Sequence, residues 1–197
     1  TFPYSKFIST ESAFYKVHYH NFSTLNGSRD SMEAFEWIID LAIENNIDLS
    51  ICFSPIHARL LEVLYVKGYQ EEFENWKRNL IQILELKKGR NLQNKVNIYD
   101  FSGFNTYTSE AIPNKENKED IQTNMEWYLE PSHYKKSLGN KIIERLLTEE
   151  DNSKNSFGIK LNKDNIEEHL VKIQNERELW KNKFPQYSKE IHSLKQH

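Results

Sequence analysis

The chain has 197 residues, a length typical of one domain with or without an appendage. It contains 26 Lys and Arg against 29 Asp and Glu, which argues against nucleic acid as its main partner. No apolar run reaches the ~18 residues of a membrane helix, and one cysteine excludes an internal disulfide framework. Without a glycine-rich phosphate motif, we predict no nucleotide cofactor.

Residues 1–28 lack a helical stripe and are predicted to form an irregular segment, with an extended stretch over residues 13–22. In such a stretch His18 and His20 would lie on one face and form a possible metal pair. No third ligand follows at a fixed spacing, so a metal site would have to recruit Asp100, and we predict none.

Residues 29–147 are predicted to form an α/β domain. A capping box, Asp30 with Glu33, opens its first helix. The strand over 48–53 is apolar enough to be covered on both faces, which places Cys52 in the core. The remaining elements are read from apolar periodicity and Pro or Gly boundaries. They are helices over 30–45, 55–68, 70–88 and 135–147, and a second strand over 95–101.

Alternation of helices and strands predicts a parallel sheet flanked by helices. Because a stable sheet normally needs three or more strands, we expect further strands, mainly upstream of Thr1, with residues 13–22 contributing. Residues 148–197 are predicted to form a polar linker and a C-terminal helical extension, with one helix over 163–181 and a helical tail after Pro185. The last helix would pack on the sheet or contact a partner.

Ligands of open parallel sheets bind beyond the carboxyl ends of the strands. The first strand is followed by Ser54 and His57, and the second ends at Asp100 and Ser102. We expect Ser54, His57 and Ser102 to contact substrate at this edge. Two alternatives stay open: His57 as an ordinary hydrogen-bonded residue of the first helical turn, and Asp100 in an Asx turn with Ser102.

Glu130 precedes His133 by three residues, just before the 135–147 helix. In a tight turn, a carboxylate at this spacing can hold one imidazole nitrogen and leave the other to accept a proton from a nucleophile. Asp100 is the alternative orienting acid. In the structural alternative, Ser132 caps the helix and His133 packs beside it.

These residues resemble the C-terminal block of SGNH/GDSL-type hydrolases, which reads Asp-x-x-His and is followed by a glycine. Shorter similarities suggest a bacterial branch linked to the cell envelope and exopolysaccharides. The block comprises Trp127, Tyr128, Glu130, Ser132, His133, Tyr134, Leu138 and Gly139. The shorter matches are Ser54-Pro55-Ile56-His57-Ala58, Phe73-x-x-Trp76-Lys77-Arg78, Tyr99-Asp100-Phe101-Ser102 and Phe157-Gly158.

The resemblance implies a flavodoxin-like SGNH fold, incomplete at its N-terminus, and an esterase that acts on a small ester or an acylated glycan. His133 would be the general base, and Glu130 or Asp100 its orienting acid. Glu130 stands where the family has Asp. No Gly-Asp-Ser block is present, so the nucleophile would lie outside this chain or be Ser28.

The alternative function is a non-catalytic module of the same fold that takes part in envelope or polysaccharide-machinery interactions. An upstream signal or anchor would imply an extracytoplasmic location, and the upstream portion of the protein would then be a partner of this one.

Overall fold

The structure, a computed structural model, describes residues 3–17, 24–25, 29–88, 96–113, 125–148 and 157–196. Its helices are α1 (Pro3–Lys16), α2 (Ser31–Glu44), α3 (Ala58–Val66), α4 (Gln70–Lys88), α5 (Lys136–Leu147), α6 (Ile166–Lys183) and α7 (Pro185–Ser193), followed by a short 3-10 helix (Leu194–Gln196). Its strands are β1 (Thr24–Leu25), β2 (Arg29–Asp30), β3 (Leu49–Phe53), β4 (Val96–Asp100), β5 (Tyr128–Glu130), β6 (His133–Tyr134) and β7 (Ile159–Leu161).

The main sheet has the order β3-β4-β7 and is mixed. β3 and β4 are parallel, with Leu49 opposite Val96 and Phe53 opposite Asp100. β7 pairs antiparallel with β4, so the prediction of a parallel sheet is correct for one strand pair and wrong for the other. A three-residue strand carries too little alternation to be recognised. These strands do not by themselves establish a flavodoxin-like fold.

One face of the sheet packs against α2, α4 and the start of α6. The apolar stripes of these helices bury Ile39 and Ala42 from α2, Leu80, Ile81 and Leu84 from α4, and Ile166 and Leu170 from α6. Ile98 of β4 lies at the centre and is fully buried. The helices predicted over 30–45 and 70–88 therefore form at the expected positions.

The opposite face is covered unevenly. Tyr99 and Phe101 pack against Ile142 of α5, whereas Ser50 and Cys52 of β3 are exposed. The expectation that β3 is covered on both faces, with Cys52 in the core, is wrong. Leu49, Ile51 and Phe53 alternate with these two exposed residues, and this period of two is the pattern of a strand with one buried face.

Residues 3–16 form α1 rather than an irregular or extended segment. Phe7 is fully buried, and Glu11, one turn later, binds Arg59 of α3 through two hydrogen bonds of 2.6 and 2.7 Å. Glu11 lies on the buried face of α1 and interrupts its apolar periodicity, so the sequence shows no amphipathic pattern there. This face is stabilised by the ion pair with Arg59 instead. His18, His20 and Ser28 lie outside the described residues.

α6 and α7 belong to the core. Trp180 and Ile191 are buried in a cluster with Ala58, Leu61 and Phe104, and Glu190 of α7 binds Arg59 at 2.8 Å. Residues 157–196 therefore help to build the molecule rather than extend from it. Among the described helices, none is both long and apolar enough to cross a bilayer.

Candidate active site at the carboxyl ends of the strands

The hairpin of β5 and β6 lies at the carboxyl end of β3. The Tyr128 hydroxyl donates to the Pro55 carbonyl at 2.7 Å, and the His57 amide donates to the Pro131 carbonyl at 2.9 Å. Since Phe53 is opposite Asp100 in the parallel pair, both strand ends lie at this end of the sheet. The turn that joins β5 to β6, residues 130–133, is called the Glu130 turn below.

Glu110 fixes the hairpin. Its carboxylate accepts backbone hydrogen bonds from Trp127 at 3.0 Å and Tyr128 at 3.2 Å, and a further one from Glu126. Burial raises the pKa of Glu110, although these hydrogen bonds oppose the shift. The position of the Glu130 turn therefore depends on a carboxylate from the preceding loop.

Within the Glu130 turn, the Glu130 carboxylate contacts Nδ1 of His133. The Ser132 hydroxyl donates to Glu130 Oε1 at 2.6 Å and lies 3.0 Å from the same imidazole nitrogen. Burial alone would raise the pKa of Glu130, but hydrogen bonds from Ser132, His133 and Thr10 lower it. The carboxylate is therefore kept ionised beside the imidazole.

His133 is open to solvent, with 76% of its side chain exposed. Its contacts leave Nε2 with no hydrogen bond to any described residue. Ser132 does not cap α5: that helix begins after Lys135, without a side-chain cap. The geometry has the form of a carboxylate-oriented base rather than of a helix cap.

Asp100 lies in a separate, buried cluster. Its Oδ2 accepts from Lys77 Nζ at 2.6 Å and contacts His169 Nε2 at 2.9 Å, while Lys77 also donates to the Ser102 hydroxyl at 2.8 Å. Burial would raise the pKa of Asp100, but Lys77 and His169 hold it well below its usual range. The structure does not bring this carboxylate to His133 or His57.

The Asx-turn alternative for Asp100 is present in the structure, because its Oδ1 accepts from the Ser102 amide at 2.8 Å. Ser102 is buried beside it. Ser54 is exposed at the end of β3. Of the three residues expected to contact substrate, Ser54 alone is open to solvent.

His57 is fully buried between the rings of Phe7 and Tyr128. Its Nδ1 accepts the Arg59 amide at 3.2 Å and caps α3, so Nε2 carries the proton and donates to the Glu110 carbonyl at 2.8 Å. Burial lowers the pKa of His57 to about 3. This placement favours a structural role over contact with substrate.

Sequence reasoning missed Lys77 and His169. Each interrupts an apolar stripe on its helix: Lys77 lies between Phe73 and Leu80, and His169 between Ile166 and Ile173. A charged residue at a buried helical position is a signal that a partner exists. The signal does not identify the partner. Here the partner is Asp100, which is 23 residues from Lys77 and 69 residues from His169 in the sequence.

No group of three or more His, Cys, Asp or Glu side chains in the described part of the chain is placed to hold a metal ion. The suggested pair, His18 and His20, is outside that part. Asp100, its suggested third ligand, is engaged by a lysine ammonium group instead.

Comparisons with protein-family models, with curated proteins and with solved structures find no significant match for this chain. The resemblance to SGNH hydrolases therefore depends on the short motifs of the sequence.

Proposed function

We propose that the chain supplies the general base, His133, and its orienting acid, Glu130, of an SGNH-like ester hydrolase. The observation that supports this is the contact of the Glu130 carboxylate with Nδ1 of a solvent-exposed His133. A carboxylate at Nδ1 fixes the tautomer in which Nε2 is free to accept a proton. The flavodoxin-like SGNH fold is part of this proposal.

In the proposed reaction, His133 Nε2 removes the proton from a serine hydroxyl as its oxygen attacks the ester carbonyl. The resulting imidazolium is stabilised by Glu130 and then protonates the leaving alcohol. The serine is Ser28 or a residue outside this chain. The substrates proposed are small acyl esters or acetyl groups on a glycan.

Hydrolysis of 4-nitrophenyl acetate by purified protein tests this proposal. We expect His133→Ala to reduce kcat/KM by about 10²- to 10⁴-fold, the usual contribution of a positioned general base. His192→Ala, at an exposed histidine of α7, is the matched control and should leave the rate unchanged. If the parent protein hydrolyses the ester and His133→Ala retains the parent rate, His133 is removed from the mechanism.

A second candidate is a non-catalytic module that uses the same surface for envelope or polysaccharide-machinery interactions. The lack of a described hydroxyl at His133 Nε2 favours it. A fluorophosphonate probe separates the two functions. Labelling that His133→Ala abolishes supports the hydrolase, whereas an unlabelled protein without esterase activity supports the module.

A further inference from the structure

A cavity of about 320 Å³ lies between the end of β4, the loop over residues 102–107, the start of β7 and α6. Its lining includes Asp100, Ser102 and His169, but no residue of the Glu130 turn. The cavity is therefore distinct from the proposed esterase site, and what it binds does not depend on that proposal.

His169 lines this cavity with its imidazole ring. Asp100 accepts at His169 Nε2, so Nε2 carries a proton and Nδ1 is left to exchange a hydrogen bond with a ligand. Nδ1 has no hydrogen bond to any described residue. Glu176, on the next turn but one of α6, adds carboxylate acceptors to the lining.

Each of the two carboxylates that line the cavity lies near a lysine. Lys77 neutralises Asp100 at 2.6 Å, and Lys172 lies 3.8 Å from Glu176. A site for phosphate or another anion would need a surplus of cationic donors. Because both lysines already face carboxylates, the described side chains favour a neutral ligand with hydroxyl groups over an anion.

The rest of the lining is aromatic and aliphatic. The rings of Tyr107 and Phe157 have centroids 4.4 Å apart, and Ile159 and Ile173 also border the cavity. Ligand sites usually combine such an apolar wall with a few polar groups, within roughly 300–1,000 Å³. This volume is at the lower end, which suits a ligand of one ring.

We propose that the cavity binds a neutral, hydroxyl-rich ring compound of the size of a monosaccharide. Its hydroxyl groups would exchange a hydrogen bond with His169 Nδ1, donate to Glu176 and accept from Lys172. Its C–H face would pack on the wall formed by Tyr107 and Phe157. Asp100 and Lys77 would act as positioning residues that hold the His169 ring.

Binding is measured by ¹H–¹⁵N NMR of the histidine side chains in the full chain, titrated with D-glucose, D-galactose and N-acetyl-D-glucosamine. We expect at least one sugar to shift the His169 ring resonances, with a dissociation constant of about 1 mM or below. Glycine and inorganic phosphate are parallel titrations. Shifts with phosphate or glycine and not with the sugars, or shifts with none of them, would overturn the proposal.

Two variants locate the binding. Thr106→Trp places a large ring at an exposed lining residue, and we expect it to abolish the shifts while leaving the fold intact. Glu176→Gln should weaken binding severalfold, whereas Glu178→Gln, at an exposed position of the same helix, should not. Binding that survives Thr106→Trp in a folded protein would place the ligand elsewhere.

Discussion

Lys77 and Asp100 form an ion pair with almost no solvent exposure on either side chain. Removal of one partner from such a pair leaves the other charge buried without compensation, which is far more costly than loss of a surface pair. Lys77 also donates to Ser102. The pair therefore links α4 to the end of β4 at the floor of the cavity.

We expect Lys77→Met to lower the free energy of unfolding by about 3–5 kcal/mol, measured by urea denaturation. Lys87→Met, on the same helix, removes ion pairs with Asp40 and Glu36, whose carboxylates are exposed to solvent, and should have a small effect. Similar losses in the two variants would contradict the interpretation that Lys77 compensates the buried charge of Asp100.

The buried His57 predicts acid sensitivity. Its pKa is lowered from 6.5 to about 3 by burial, so the unfolded chain binds a proton that the folded chain excludes. Stability from this group is complete above about pH 6.5 and is lost as the pH falls toward 3, by up to about 1.4 kcal/mol per pH unit. The lowered pKa of Asp100 also makes the stability fall as the pH falls, but over a lower pH range.

His57→Asn keeps a side-chain acceptor for the cap of α3 and removes the titration. We expect its free energy of unfolding to fall less steeply than that of the parent protein between about pH 7 and about pH 5. Urea denaturation at several pH values measures both slopes. Parallel slopes would show that His57 is not excluded from protonation in the folded state.

At the scale of elements, the turn into β7 depends on a glycine. Gly158 has φ of +82°, and a Cβ added there would overlap the ring of Phe101. Its carbonyl accepts from Arg145 of α5 at 2.9 Å. The close approach of this backbone to an aromatic ring brings β7 to the edge of β4.

Gly158→Ala should therefore destabilise the protein more than Gly68→Ala. Gly68 has a similar φ of +95°, but no atom lies within 4 Å of its added Cβ, so it reports the backbone strain alone, about 1–2 kcal/mol. Thermal unfolding of the two variants gives the comparison. An equal loss of stability would mean that the Phe101 ring moves aside at no cost.

Several elements were predictable because their signals are local. The stripe from Phe73 to Leu84 and the stop at Lys88 define α4, and the alternation of Leu49, Ile51 and Phe53 defines β3. α1 was not predictable in the same way. Its buried stripe contains Glu11, which is stabilised by Arg59 at a separation of 48 residues.

At the scale of the whole molecule, the C-terminal helices complete the core. Ile166 and Leu170 pack with the sheet and α4, and Trp180 and Ile191 pack with α3. The apolar area that they bury cannot be replaced by the remaining chain. The predicted packing of the last amphipathic helix on the sheet is therefore present in the structure.

We expect a fragment of residues 1–148 to lack cooperative unfolding and near-ultraviolet circular dichroism. The apolar clusters at the sheet and at α3 would both lose the side chains that residues 157–196 contribute. A chain shortened by residues 195–197, of which Lys195 is exposed, should unfold as the parent protein does. A cooperatively folded 1–148 fragment would restore the interpretation of the last helices as an extension.

The sequence by itself determined the positions of the helices after α1, the two parallel strands and the Glu130–His133 pair, because each depends on residues within a few turns of one another. Tertiary structure alone decided that β7 pairs with β4 at the edge of the sheet, that His57 is a buried helix cap, and that Asp100 binds Lys77 and His169. Those contacts join residues far apart in the chain, and no local spacing encodes the packing that brings them together.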